Sequence, residues 1–85
     1  MTKGTTMAPI TESDILQALI SAAGDPETDL PDGGLLDTTF EELGYDSLAL
    51  IESVSRLEKR FAVKIADQTV MDCRTFREMV ERVNG

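Results

Sequence analysis

Eighty-five residues make room for one small domain and no second core. A chain this short has little material for a deep catalytic pocket beside its core, and without a single His it lacks the usual general base near neutral pH. A formal net charge of −8 repels nucleic-acid phosphates and anionic membranes, which excludes both as partners.

The charge is one-sided. Between Gly4 and Ser55 there are eleven acids and neither Lys nor Arg, whereas residues 56–85 hold seven bases against five acids. Such a surface attracts basic protein patches and speeds association with them, although acids also serve simply to keep a small protein soluble. The lone Cys73 excludes a disulfide framework and any multi-cysteine metal site. With no His to activate it, Cys73 reads as a loop or partly packed thiol rather than a nucleophile. The start, "MTKGTTMAPITESD", lacks the apolar centre of a signal peptide, and no window approaches the roughly 18 apolar residues of a membrane span. A cytoplasmic protein is expected. Residues 1–10 read as a flexible leader, with Met7 as an alternative start, and residues 11–85 as the folded domain.

The first helix is expected from about Thr11 to Ala23. Thr11 and Asp14 resemble a capping box, Ile15, Leu16, Leu19, Ile20 and Ala23 recur at helical spacing, and Gly24 closes the end. "DPETDLPDGGLLDTTFEELGYD" follows, a connection too long for an idle loop in a compact domain. Leu30, Leu35, Leu36, Phe40 and Leu43 are spaced along it as anchors to a core, and "TTFEELG" suits one helical turn. A calcium loop starting at Asp25 fails, because Leu30 stands where a sharp turn needs Gly and Leu36 where a bidentate Glu is needed. Only loose cation association stays open. Gly33-Gly34 has no preceding strand and no following Lys-Ser/Thr, so it reads as a turn and not a phosphate loop.

The second helix is expected from about Ser47 to Phe61, capped by Asp46. At 100° per residue, Leu50, Ile51, Val54, Leu57 and Phe61 share one arc of about 120° as the core face. Leu48 falls outside it, beside Glu52 and Ser55; from the residues alone it is either an isolated exposed leucine or a partner contact. Val63 and Ile65 lie in a connection, and "ADQTVMD" suits a short helix burying Val70 or Met71. Thr75 and Glu78 form a capping box for a last helix with Phe76, Met79, Val80 and Val83 as its stripe. No alternating run argues for strands. The expected fold is an all-α small bundle of three main helices plus one short helix, with a long ordered loop between helices I and II.

Ser47 is the residue that the pattern leaves undecided. It reads either as part of a helix cap or as a hydroxyl displayed for modification; catalysis is excluded for want of a base. A helix start offers unpaired N–H groups and the positive dipole end to an attached phosphate, while the adjacent Asp46 opposes it.

Here the sequence resembles a family. "FEELGYDSLALIESVSRLEKRF" is similar to the modification region of acyl carrier proteins, marked by Asp-Ser-Leu at the start of the second helix, and "GYDSLAL" resembles the discrete carriers of type II aromatic polyketide synthases. The likeness runs from about Thr11 to Gly85 and takes in the "AAG" ending of helix I, the acidic loop and the "VNG" close.

The resemblance implies a non-catalytic carrier with 4′-phosphopantetheine from coenzyme A on Ser47, added by a phosphopantetheinyl transferase. It would tether malonyl and growing polyketide units as thioesters. Partners would be a ketosynthase/chain-length factor pair, a malonyl transferase, and ketoreductase and cyclases, with the carrier a monomer. By the same resemblance Asp46, Leu48, Glu52, Glu58, Glu41 and Glu42 are expected to meet basic partner surfaces, and Leu48 becomes a contact residue. Ala49, where fatty-acid-type carriers usually have an acid, and Lys59, of reversed sign, depart from that pattern; Tyr45 points to polyketide carriers. A fatty acid carrier is the alternative within the class, and an unmodified acidic interaction module is the alternative outside it.

Overall fold

The structure, a computed structural model, describes residues 9–30 and 34–84. Most of the expected leader (1–8) and part of the expected Gly33-Gly34 turn lie outside the described residues. Helix α1 spans Glu12–Ala23, α2 Ser47–Phe61, α3 Asp67–Asp72 and α4 Phe76–Asn84. Among the described residues there is no strand, only one isolated antiparallel bridge between Thr39 and Thr75.

Helix α1 starts at the expected capping box: Asp14 N–H donates to Thr11 Oγ1 at 3.2 Å, and Asp14 Oδ2 accepts from Thr11 N–H at 2.9 Å. It stops at Gly24, whose φ of 94° suits glycine and whose N–H donates to Ile20 O at 2.8 Å. Ile15, Leu16, Ala18 and Leu19 are buried, and α1 packs mainly on α2. Ile10, counted with the leader in the sequence, belongs to the folded unit instead. It is buried, its N–H donates to Asn84 Oδ1, and its carbonyl accepts from Asn84 Nδ2, both at 2.8 Å. These paired bonds tie the entry to α1 to the end of α4.

The buried face of α2 is rotated from the expected arc. Leu50, Val54 and Leu57 are buried as expected, but Ala49 and Ser53 join them, whereas Ile51 and Phe61 are only half-buried. Two small side chains carry little weight in a pattern of large apolar residues, which is why that side of the helix went unread. Ser53 is fully buried, and its hydroxyl donates to Leu50 O at 2.8 Å, so no polar group is stranded.

The long connection holds two 3₁₀ turns, Leu35–Asp37 and Glu41–Leu43. Of its five expected anchors, Phe40 and Leu43 are buried and Leu35 and Leu36 half-buried; Leu30 corrects the expectation at 44% exposed. A short reciprocal box starts the second turn: Thr39 N–H donates to Glu42 Oε2 at 2.9 Å and Glu42 N–H to Thr39 Oγ1 at 3.1 Å. The first turn is tied to α4 by Arg77, whose Nε and Nη2 donate to the Asp37 carboxylate at 3.0 and 3.3 Å. The pair is solvent-exposed and holds the Asp37 carboxyl below its usual range.

Of the two candidates on α3, Val70 is the buried one and Met71 is 55% exposed. Helix α4 starts at the expected box, with Glu78 N–H donating to Thr75 Oγ1 and Thr75 N–H to Glu78 Oε1, both at 3.2 Å. Arg74 N–H adds a third bond to Glu78 Oε1 at 2.6 Å. Phe76, Met79 and Val83 form its buried face.

Two predictions follow from these helix ends. Ala62 closes α2 in the left-handed region at φ 56°, a conformation that costs a Cβ-bearing residue about 1 kcal/mol or more relative to glycine. Ala62→Gly should raise the urea midpoint by an amount worth about 1 kcal/mol, with the helical circular dichroism unchanged. The backbone donors at Arg74 and Thr75 hold the Glu78 carboxyl below its ordinary value of 4.5. A depressed folded-state carboxylate stabilises fully above the unfolded value and loses that contribution as pH falls through the lowered one. The gap in urea midpoint between wild type and Glu78→Gln should therefore be widest near neutral pH and close as the solution is acidified below 4.5.

Candidate functional site

The sequence left open whether Ser47 caps α2 or is displayed. The structure gives the cap to its neighbour: Asp46 is extended at φ −94°, and its Oδ1 accepts from Ala49 N–H at 2.9 Å. Ser47 is then the first helical residue, exposed, and among the described residues nothing is hydrogen-bonded to its hydroxyl.

The approach to that position is braced from one side. Gly44 turns left-handed at φ 88°, a conformation that suits glycine, with the exposed Glu27 side chain lying against it. Glu27 N–H donates to Leu43 O at 2.9 Å, and the Thr28 hydroxyl donates to Glu42 O at 3.2 Å, pinning the first part of the loop onto the second. Tyr45 is buried and its hydroxyl donates to Gly24 O at 2.9 Å, linking the end of α1 to the start of α2. Burial, and then the charge of Asp25, push the Tyr45 phenol up, so it stays a neutral donor.

A groove of about 440 Å³ opens beside Ser47, with the loop, the first turn of α2 and the end of α3 as its walls. Apolar and aromatic side chains line it (Phe40, Tyr45, Leu50, Met71 and Cys73), together with polar Thr39, Glu41, Asp46, Ser47 and Arg74. Cys73 is buried rather than part-packed, with Sγ donating to Thr69 O at 3.3 Å; burial pushes its thiol up, away from the reactive thiolate.

The expected docking residues divide. Glu41 and Asp46 share the Ser47 groove, and Leu48 is 64% exposed, the most open large aliphatic among the described residues. Glu42 is exposed, with one oxygen committed to Thr39 N–H. Glu52 is exposed further along α2, where it lines a separate groove with Ser55, Arg56, Lys59 and Arg60. Glu58 is half-buried and accepts from Ile65 N–H at 2.7 Å, which ties α2 to the segment leading into α3. Thr39, Met71 and Arg74 line the groove unannounced by the sequence: Met71 because an α3 of six residues carries too little periodicity to show which side of it meets α2, Thr39 and Arg74 because they lie in connections. Among the described residues no cluster of three or more His, Cys, Asp or Glu side chains is placed to hold a metal ion, and no helix is long and apolar enough to cross a membrane.

The fold is a small helical bundle whose long pinned loop leads into α2 beside a half-apolar groove, an architecture shared with carrier domains. Residues 13–83 match the family described as "Phosphopantetheine attachment site". The chain is 44% identical to the actinorhodin polyketide synthase acyl carrier protein of Streptomyces coelicolor over 77 residues, covering 89% of this chain and 88% of that one. It is 43% identical to the granaticin polyketide synthase acyl carrier protein of Streptomyces violaceoruber, covering 93% of each. The solution structure of the 3,5-dioxohexyl (triketide mimic) form of the actinorhodin carrier is similar at a TM-score of 0.79 and 42% identity, over 94% of this chain and 93% of that one. The holo form of the same carrier gives 0.77 at 42% identity, with the same coverage. The chain belongs to the phosphopantetheine-attachment family, among the acyl carrier proteins of type II polyketide synthases. Its prosthetic group is a covalently attached 4′-phosphopantetheine.

The cap and the displayed hydroxyl separate in stability. Asp46→Ala should cost about 1 kcal/mol by removing the bond to Ala49 N–H. Ser47→Ala should stay within about 0.5 kcal/mol of wild type, as for a surface side chain without partners. Urea unfolding of the two variants measures both.

Proposed function

We propose that Ser47 is the attachment residue, and that the protein serves a type II polyketide synthase by tethering malonyl and growing polyketide units as thioesters on the attached arm. The observation that carries this reading is the exposed, unbonded hydroxyl at the first position of α2, with the cap role taken by Asp46. The residues around it fit the group. The Ser47 hydroxyl is open to an incoming phosphoryl donor, the first-turn N–H groups of α2 favour a phosphodiester, and the half-apolar groove offers a bed for an attached chain. When attached, the group supplies a terminal thiol that the chain itself lacks in reactive form, Cys73 being buried.

Everything else in the role falls to positioning. Tyr45, Gly44 and Phe40 fix the loop so that Ser47 stands at the surface, and tethering raises the local concentration of the acyl unit around partner enzymes. The protein acts as a carrier and leaves the chemistry to those enzymes: a phosphopantetheinyl transferase first, then a malonyl transferase, a ketosynthase/chain-length factor pair, ketoreductase and cyclases. Leu48 offers them an apolar contact, with Asp46, Glu41, Glu42 and Glu52 as an acidic surround. Glu58 contributes chiefly through its bond to Ile65 N–H. Ala49 is buried, so the position where fatty-acid-type carriers have an acid points into the bundle here, and that sits better with a polyketide than a fatty acid carrier. A monomer in the cytoplasm is the setting this reading gives.

Intact mass after incubation with coenzyme A, magnesium and a broad-specificity phosphopantetheinyl transferase tests the site. Wild type should gain one phosphopantetheine group and Ser47→Ala none. A gain on Ser47→Ala, or no gain on folded wild type, would sink the assignment.

A further inference from the structure

We propose that Arg74 is the anion-binding residue of the groove beside Ser47, pairing with the phosphodiester of the attached arm. The inference deepens the reading of Ser47 as the attachment residue and rests on it. Three charged side chains line the groove, Glu41, Asp46 and Arg74, so its own balance is negative before anything is attached. A phosphodiester on Ser47 adds another negative charge immediately beside Asp46. The start of α2 answers that charge only in part, because Asp46 already takes the Ala49 N–H. Arg74 is the cation that the groove provides.

Its geometry suits the task. The backbone of Arg74 is held from two directions: its N–H donates to Glu78 Oε1 at 2.6 Å, and its carbonyl accepts from Phe40 N–H at 3.0 Å. The side chain is exposed, and among the described residues no carboxylate lies within ion-pair distance of its guanidinium. Arg77, three positions on, is by contrast committed to Asp37. Arg74 is therefore a fixed base with a free planar head, the form in which arginine recognises phosphate oxygens. The blander role is a solvated arginine whose charge acts on the nearby Glu78 carboxylate, itself already held by the backbone donors at Arg74 and Thr75, and it would leave the guanidinium indifferent to the arm. A malonyl carboxylate is the other anion that the arm can bring. The phosphodiester is the better source, since it is bonded to Ser47 inside the groove while the carboxylate sits at the arm's far end.

NMR of the arginine Nε–Hε groups and of ³¹P tests this on the full chain in apo, holo and malonyl forms, with intact mass on every sample. In wild type the Arg74 Nε–Hε signal should shift and exchange more slowly with water on going from apo to holo, with little further change on malonylation. The holo ³¹P shift should differ between wild type and Arg74→Gln, sit between them in Arg74→Lys, and lose the difference at about 1 M salt. Arg74→Gln should gain the arm and keep the wild-type circular dichroism. An Arg74 signal identical in apo and holo protein, with equal ³¹P shifts in wild type and Arg74→Gln, overturns the proposal. A shift that arrives only with malonylation overturns it in favour of the carboxylate. No mass gain on wild type overturns the attachment reading itself, and the mass record separates that failure from the others.

Discussion

The architecture depends on one crossing, where the long acidic loop meets the turn between α3 and α4. Phe40 and Phe76 are both buried there with ring centroids 4.6 Å apart and planes tilted by 46°. The backbone runs alongside: Phe40 N–H donates to Arg74 O at 3.0 Å and Phe76 N–H to Thr38 O at 3.3 Å, around the Thr39–Thr75 bridge. Truncating a buried phenylalanine costs about 3–5 kcal/mol. A domain of this size has on the order of 4–13 kcal/mol in all, so this contact alone accounts for much of what keeps the loop in place. A loop without it would be a tether of more than twenty residues, and the start of α2 would have no fixed relation to α3.

From that crossing the site is assembled in a few steps along the chain. Leu43 is buried three residues after Phe40, Gly44 turns left-handed against Glu27, and Tyr45 reaches back to Gly24. Only then does α2 begin. Each contact fixes one more step of the approach to α2, and Asp46 completes it by capping the helix itself. With the cap taken by Asp46, the Ser47 hydroxyl is not needed to close the start of α2.

Much of this was readable in the chain. The capping boxes at Thr11/Asp14 and Thr75/Glu78, the span of α2 and the Asp46 cap are local features with strong residue preferences, and all four appear where the spacing puts them. The Asp-Ser-Leu stretch carried the family resemblance, while the residues alone left Ser47 open between cap and display. What escaped depends on contacts between distant segments. Ala49 and Ser53 are buried by the packing of other elements on α2, which no property of a small residue announces. Ile10 joins the core through Asn84, seventy-four positions away. Leu30 is as apolar as Leu43, yet one is exposed and the other buried, because turn geometry rather than hydrophobicity decides which loop residue reaches the core. Arg74 and Met71 enter the groove through the placement of a six-residue helix too short to signal its own orientation.

Cys73 gives the groove a further property. A protein that holds activated acyl groups close to its own surface runs the risk of acylating itself, since thioesters exchange readily with thiolates. The one thiol in the groove, Cys73, is held towards its protonated form by burial, directed at Thr69 O and 4% exposed, and the chain has no His to take its proton. The groove wall therefore offers no reactive thiolate of its own to an acyl group tethered nearby, and the nucleophile that takes the acyl unit must come from elsewhere.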